Sequence, residues 1–291
     1  DAADTENHNL AIGSNALGGA VAGGEYNVAI GNYSLDALTS GDNNVAVGYN
    51  AGSAITTGFS NVIIGQEAGL ALTTGSNNVA IGREALKNED GHGRNVAIGL
   101  QTLFTQNAGA EAYNVAIGFQ AGTSITTGIN NVMIGGVALD ALTTGNGNTV
   151  VGHAAGTGAT TGGLNTIVGK GAGAGVLTDA AGHNLMLGYE AGASLTSGVR
   201  NVLMAGKGAG YSLTSGSDNV FIGHEAGDSH DAETNNIGIG RASLGGAVAG
   251  GEYNVAVGNY TLDALTSGDS NVAVGYNAGT ANTTGHSNTF L

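Results

Sequence analysis

Apolar residues in this chain come in blocks of three, each opened by an asparagine and nearly all closed by a glycine. Asn44-Val45-Ala46-Val47-Gly48 and Asn78-Val79-Ala80-Ile81-Gly82 are representative. The block recurs seventeen times, from Asn9, Asn27 and Asn44 through to Asn288, spaced by 17 residues in eleven of sixteen intervals and by 18 or 19 in the other five. Its residues favour a strand, but three residues cannot stand alone, and the available partner is the equivalent block one repeat away. The pattern therefore predicts parallel, in-register stacking of successive copies at about 4.8 Å per coil, or roughly 80 Å for seventeen coils. The expected fold class is all-β: a parallel β-solenoid (β-roll) of about 17 coils with a 17–19-residue repeat, forming a single repeat domain over residues 1–291.

Numbering each repeat from its asparagine, alternation along a strand puts positions 2 and 4 on one face and position 3 on the other. Assigning positions 2 and 4 to the coil interior leaves position 3 facing outward, and none of its seventeen residues is polar. So long an apolar stripe exceeds what a soluble monomer leaves exposed. The expectation is an oligomer interface through Ala29, Ala46, Ile63, Ala80, Ala97, Ala116 and Met133. A homotrimer, intertwined or side by side, is favoured, although periodicity alone does not separate two chains from three. The alternatives are a head-to-tail filament and a sheet face covered by another domain of the same chain.

The rest of the repeat reads as corners. Position 5 is Gly in fifteen of the sixteen complete copies, Ala205 being the exception, as expected where the backbone turns in a conformation closed to most side chains. A small residue follows at about position 8, then Gly or Leu, and ten copies close with Thr-Thr-Gly or Thr-Ser-Gly. Position 1 is suited to an amide ladder, each asparagine donating to one neighbouring coil and accepting from the other. The absence of proline fits a chain in which nearly every stretch of backbone donates to a neighbour.

The Asn-Val-Ala-Ile-Gly block resembles the Asn-Ser-Val-Ala-Ile-Gly motif of trimeric autotransporter adhesin heads. That resemblance implies a left-handed parallel β-roll within a trimer. The longer phrase, in which Ala-Gly or Ala-Leu and then Leu-Thr-Thr-Gly follow, is more similar to repeats of phage and bacterial tail-fibre proteins that carry an endosialidase-type chaperone domain. It implies an extracellular fibre on a virion or cell surface with a glycan receptor. The 17-residue period is longer than that of the adhesin heads. Residues 9–51 return nearly verbatim as 236–278, and the chain stops inside a repeat at Leu291, which suggests a segment of a longer modular fibre.

Charge and composition narrow the partners. A net charge of −15 with only seven Lys and Arg argues against nucleic acid and anionic membranes, and the apolar runs are too short for membrane insertion. No cysteine is present, and no phosphate loop, nucleophile elbow or acid pair stands out, so neither enzyme activity nor a cofactor is expected. The segment His224–Glu233 is rich in metal-ligand types, but its spacing matches no known metal loop and it reads as a solvated corner. Corner tyrosines Tyr33, Tyr49, Tyr189, Tyr260 and Tyr276 are the candidates for stacking on a glycan. Asn32, Asn259 and Asn282 lie in glycosylation sequons. An ice-binding solenoid is a further alternative, disfavoured because adjacent threonines cannot share one strand face.

Overall fold

The computed structural model describes residues 8–178, 181–246 and 250–291, and the chain falls into two compact units, Asp1–Asn146 and Gly147–Leu291. Each unit is a parallel β-solenoid, and no helix occurs among the described residues. The first contains β1 (Leu10–Ile12), β2 (Val28–Ile30), β3 (Val45–Val47), β4 (Val62–Ile64), β5 (Val79–Ile81), β6 (Val96–Ile98), β7 (Val115–Ile117) and β8 (Val132–Ile134). The second contains β9 (Thr149–Val151), β10 (Thr166–Val168), β11 (Leu185–Leu187), β12 (Val202–Met204), β13 (Val220–Ile222), β14 (Ile237–Ile239), β15 (Val255–Val257), β16 (Val272–Val274) and β17 (Thr289–Phe290).

Within each unit every strand pairs in register with the next in sequence: Ala46 lies opposite Ile63, Ile63 opposite Ala80, and Leu203 opposite Phe221. Backbone bonds extend beyond the strands. The Val45 amide donates to the Asn61 carbonyl at 2.8 Å, and the Gly48 amide to the Ile30 carbonyl at 2.8 Å. The asparagine ladder is present and buried. Asn44 donates its backbone N–H and its Nδ2 to Asn27 Oδ1, at 2.9 and 3.1 Å, and its Nδ2 also reaches the Gly58 carbonyl at 2.9 Å. In the second unit Asn254 repeats the pattern with Asn236 Oδ1 and the Gly268 carbonyl. One side chain thus ties two coils together and closes its own coil, which explains its recurrence at position 1.

The facing of the strands is the reverse of the expectation. In β2 through β16 the middle residue is buried and its two neighbours are half-buried or exposed. Position 3 therefore points into the coil, and positions 2 and 4 point out. The reason lies in position 9, the "Gly or Leu" of the corner, which fills the same interior. Position 3 is small and position 9 is a fully buried leucine for Ala29 with Leu35, Ala80 with Leu86, Ala97 with Leu103 and Ala256 with Leu262, whereas Ala46, Ala116 and Ala273 are followed by Gly52, Gly122 and Gly279, whose space is entered by Leu35, Met133 and Phe290 of adjacent coils. Where position 3 is large, position 9 is Gly: a Cβ on Gly192 would sit 2.7 Å from Met186 Sδ, and one on Gly227 2.5 Å from the Phe221 ring. Met133 coexists with Leu139 because it leans toward Gly122 of the preceding coil, whose own position 3 is Ala116.

This exchange of volume explains the mixture of small and large residues at position 3. It is core packing, in which neighbouring side chains fill one another's space. The leucines at position 9 adopt left-handed φ near +50, Leu35 at 48 and Leu86 at 51. That conformation costs about 1–2 kcal/mol, while burying a leucine returns about 2–3 kcal/mol, so the side chain prevails. A second interior lane runs through position 12, with Leu38, Ile55, Leu72, Ile125 and Leu142 in the first unit and Leu195 and Leu265 in the second; Leu213 joins it from position 13 of a repeat with one extra residue, and all are buried.

Candidate functional site: outer face, corners and core breaks

The residues expected at an oligomer interface, Ala29, Ala46, Ile63, Ala80, Ala97, Ala116 and Met133, are each 0% exposed within the single chain. They contact the interior of their own coils and offer nothing to a second molecule. The face that does look outward carries positions 2 and 4. In the first unit it presents Val or Ile in every strand after β1, which has Leu10 and Ile12. In the second it also contains Leu185, Leu187, Met204 and three threonines, Thr149, Thr166 and Thr289. No charged side chain falls on it in either unit.

The corners carry the polar surface. Tyr33 and Tyr49 meet edge to face with ring centroids 6.1 Å apart, and Tyr260 and Tyr276 repeat the arrangement at the same distance in the duplicated segment. The structure thus pairs four of the five candidate tyrosines, two in each unit. Arg241 lies over the Tyr260 ring at 5.5 Å. Tyr189 is separate from both pairs; the neighbouring Glu190 carboxylate raises the affinity of that phenol for its proton. Of the sequon asparagines, Asn32 and Asn259 are exposed, and their Oδ1 atoms accept the Ser14 and Arg241 amides; Asn282 is half-buried and bonds Gly285 within its own turn. The first threonine of the closing turn is occupied in stacking: Thr39 Oγ1 donates to the Thr56 carbonyl at 3.0 Å and Thr126 Oγ1 to the Thr143 carbonyl at 3.1 Å.

The least expected chemistry lies in the position-12 lane, where three coils carry a fully buried polar residue, Glu89, Gln106 and His230, each 0% exposed, and the last coil carries the half-buried Asn282. Glu89 and Gln106 are on adjacent coils and form a network. Glu89 accepts the His92 amide at 3.2 Å and the Gln106 Nε2 at 3.4 Å; Gln106 also donates to Asn95 Oδ1 and accepts from Asn114 Nδ2, both at 3.1 Å. Burial raises the Glu89 carboxyl above its ordinary range, against the opposing pull of these backbone donors. Glu89, Asp90 and His92 bring one ligand atom each within 4.8 Å of one another, the donor set for a small cation.

His230 has no such network: neither ring nitrogen has a hydrogen-bond partner among the described residues, and the ring packs against Phe221 at 4.8 Å between centroids. Burial depresses its pKa to about 4, with the Glu233 charge opposing. The His224–Glu233 segment is therefore only partly a solvated corner, since His230 and Glu233 are buried. The signal available in the sequence was positional: each polar residue stands eleven after a motif asparagine, where neighbouring repeats carry Leu or Ile.

Among protein-family models, curated proteins and solved structures, none matches the chain.

Proposed function

We propose that this chain is a structural segment of an extracellular fibre, whose solenoid units associate side by side through the outward lanes of positions 2 and 4, with a homotrimer as the favoured assembly. The observation that carries this reading is the uncharged, branched aliphatic face. In the first unit it runs along eight strands, about 34 Å at ~4.8 Å per strand. A continuous strip of this kind is larger than the isolated apolar residues that need no explanation. A second copy suits it best, because its side chains repeat at the same spacing and can interdigitate. The charged residues lie outside the strands, where they keep assembled fibres apart in solution.

A stack of this kind is held by backbone bonds and asparagine ladders along its length, a design for rigidity. The repeat phrases that resemble tail-fibre and adhesin sequences point the same way. An ice-binding role is less well supported, because stacked threonine hydroxyls such as those of Thr39 and Thr126 are engaged with neighbouring carbonyls. The test is sedimentation of the wild type beside a Val79→Asp, Val96→Asp double variant. Wild type should sediment as a closed oligomer and the variant as a folded monomer with unchanged circular dichroism, since each Asp would bring unpaired charge into a dry contact. A head-to-tail filament would appear as a concentration-dependent distribution. A wild type that stays monomeric at high concentration contradicts the proposal.

A further inference from the structure

One coil of the second unit departs from the corner pattern. Between Asn201 and Asn219 the strand glycine is replaced by Ala205, and Gly206-Lys207-Gly208 stands where most coils carry two residues. The hydrogen bonds fix the register: the Gly208 amide donates to the Tyr189 carbonyl at 3.0 Å, and the Glu225 amide to the Lys207 carbonyl at 3.1 Å. Gly208 therefore occupies the corner place that Glu190 and Glu225 hold in the coils on either side. All three are left-handed, with φ of 62, 54 and 57. The backbone here does not require glycine, and a Cβ on Gly208 would meet nothing nearer than the Tyr211 Cβ at 3.6 Å, an ordinary contact.

What the missing side chain does is open a groove of about 300 Å³, lined by Glu190, Lys207, Tyr211, Ser212, Glu225 and Asp228. Tyr211 is 45% exposed and offers ring surface. Glu190 and Glu225 stand two coils apart, roughly 9.6 Å by strand spacing, with only Gly208 between them. A groove of this size, with carboxylates along it and one aromatic face, suits a single six-membered ring whose hydroxyls donate hydrogen bonds of about 2.7 Å. Lys207 Nζ lies 3.4 Å from Glu225, so three carboxylates face one ammonium and the groove repels anions. Burial and the Glu225 charge raise the Asp228 carboxyl above its ordinary range.

We infer that the groove between Glu190 and Glu225 binds a single pyranose ring carrying no negative charge, with Tyr211 packing on the ring face and the flanking carboxylates accepting its hydroxyls. This goes beyond the structural-fibre reading by adding a ligand site, and the site lies within one unit. Binding is measured on the full chain and on the monomeric Val79→Asp, Val96→Asp variant alike, so loss of self-association and loss of sugar binding are distinguishable.

The probes are methyl glucoside, glucosamine and glucuronate, rings of one shape and three charges, titrated by saturation-transfer NMR and calorimetry. The first two should bind, and glucuronate should bind at least about tenfold more weakly. Gly208→Gln fills the groove with a side chain that Gln101 and Gln120 already carry at the same left-handed corner place, φ 53 in each, so folding should be retained. It should weaken methyl glucoside at least about tenfold, and Tyr211→Leu should weaken it as well. The inference is overturned if glucuronate binds equally, if no ring binds, or if Gly208→Gln leaves binding unchanged. Glucosamine binding that survives Gly208→Gln would mark diffuse attraction to an acidic surface and would also overturn it.

Discussion

The position-12 lane is interrupted in both units, and the interruptions differ in kind. In the first unit Glu89 and Gln106 sit on consecutive coils and satisfy each other, the Asn95–Asn114 ladder and nearby amides. In the second unit His230 sits alone against Phe221 with both ring nitrogens unpartnered among the described residues. A polar group can replace leucine in this core at modest cost when the adjacent coil supplies its complement, because stacking puts equivalent positions about 4.8 Å apart. Without that complement the group remains neutral and costs stability. The two breaks also respond oppositely to pH. A histidine with a depressed pKa takes up its proton more readily in the unfolded chain, so acid weakens the fold. A carboxyl with a raised pKa is protonated more readily in the folded chain, so its contribution declines as pH rises.

The largest expected effect is at His230. Its folded pKa of about 4 against an ordinary 6.5 means that stability is lost as pH falls from about 6.5 to about 4, by about 3 kcal/mol in all. His230→Leu restores the aliphatic lane and should remove this acid sensitivity. Hydrogen exchange at the β13 amides, corrected for intrinsic rate, reads it locally, which suits a repeat stack whose coils open separately. An unchanged pH dependence would show that another group is responsible.

A smaller effect is expected where the network is complete. Gln106→Leu strips donors from Glu89 and Asn95 and an acceptor from Asn114, and should cost about 2 kcal/mol at neutral pH. Adding Glu89→Leu removes the stranded carboxylate and should recover most of that loss, since replacing all members of a buried polar pair by apolar groups is often neutral. Denaturation of the single and double variants forms the cycle; a double variant as weak as the single one would mean that lane packing, not hydrogen bonding, holds these coils. The smallest effect is on slope: the double variant should also lose the decline in stability that Glu89 imposes as pH rises through its raised pKa.

Much of this architecture was readable from residues alone. The asparagine spacing located each strand to within its first residue, and the in-register stacking and amide ladder follow from chemistry repeated at a fixed interval. The facing of the strands was not readable from periodicity in most copies, because a three-residue strand apolar at every place has no polar phase to mark its outside; the exceptions, Thr149, Thr166 and Thr289, all fall at position 2 and mark it as outward. The second mark was volume. Position 3 ranges from Gly238 to Phe221 while Leu or Gly at position 9 compensates, whereas positions 2 and 4 stay nearly uniform. Gly208 was hidden for a different reason: in a chain with 55 glycines, one that the backbone does not need is visible only once its left-handed neighbours are known to be glutamates.

The central claim is that position 3 faces inward and positions 2 and 4 face outward, and thiol labelling tests it directly because the chain contains no cysteine. Ala80→Cys and Val79→Cys are introduced singly and labelled under native conditions at concentrations low enough to disperse any assembly. The expected result is rapid labelling of Val79→Cys and protection of Ala80→Cys until the coil unfolds. Rapid labelling of Ala80→Cys in the folded chain, with Val79→Cys protected, would contradict the account.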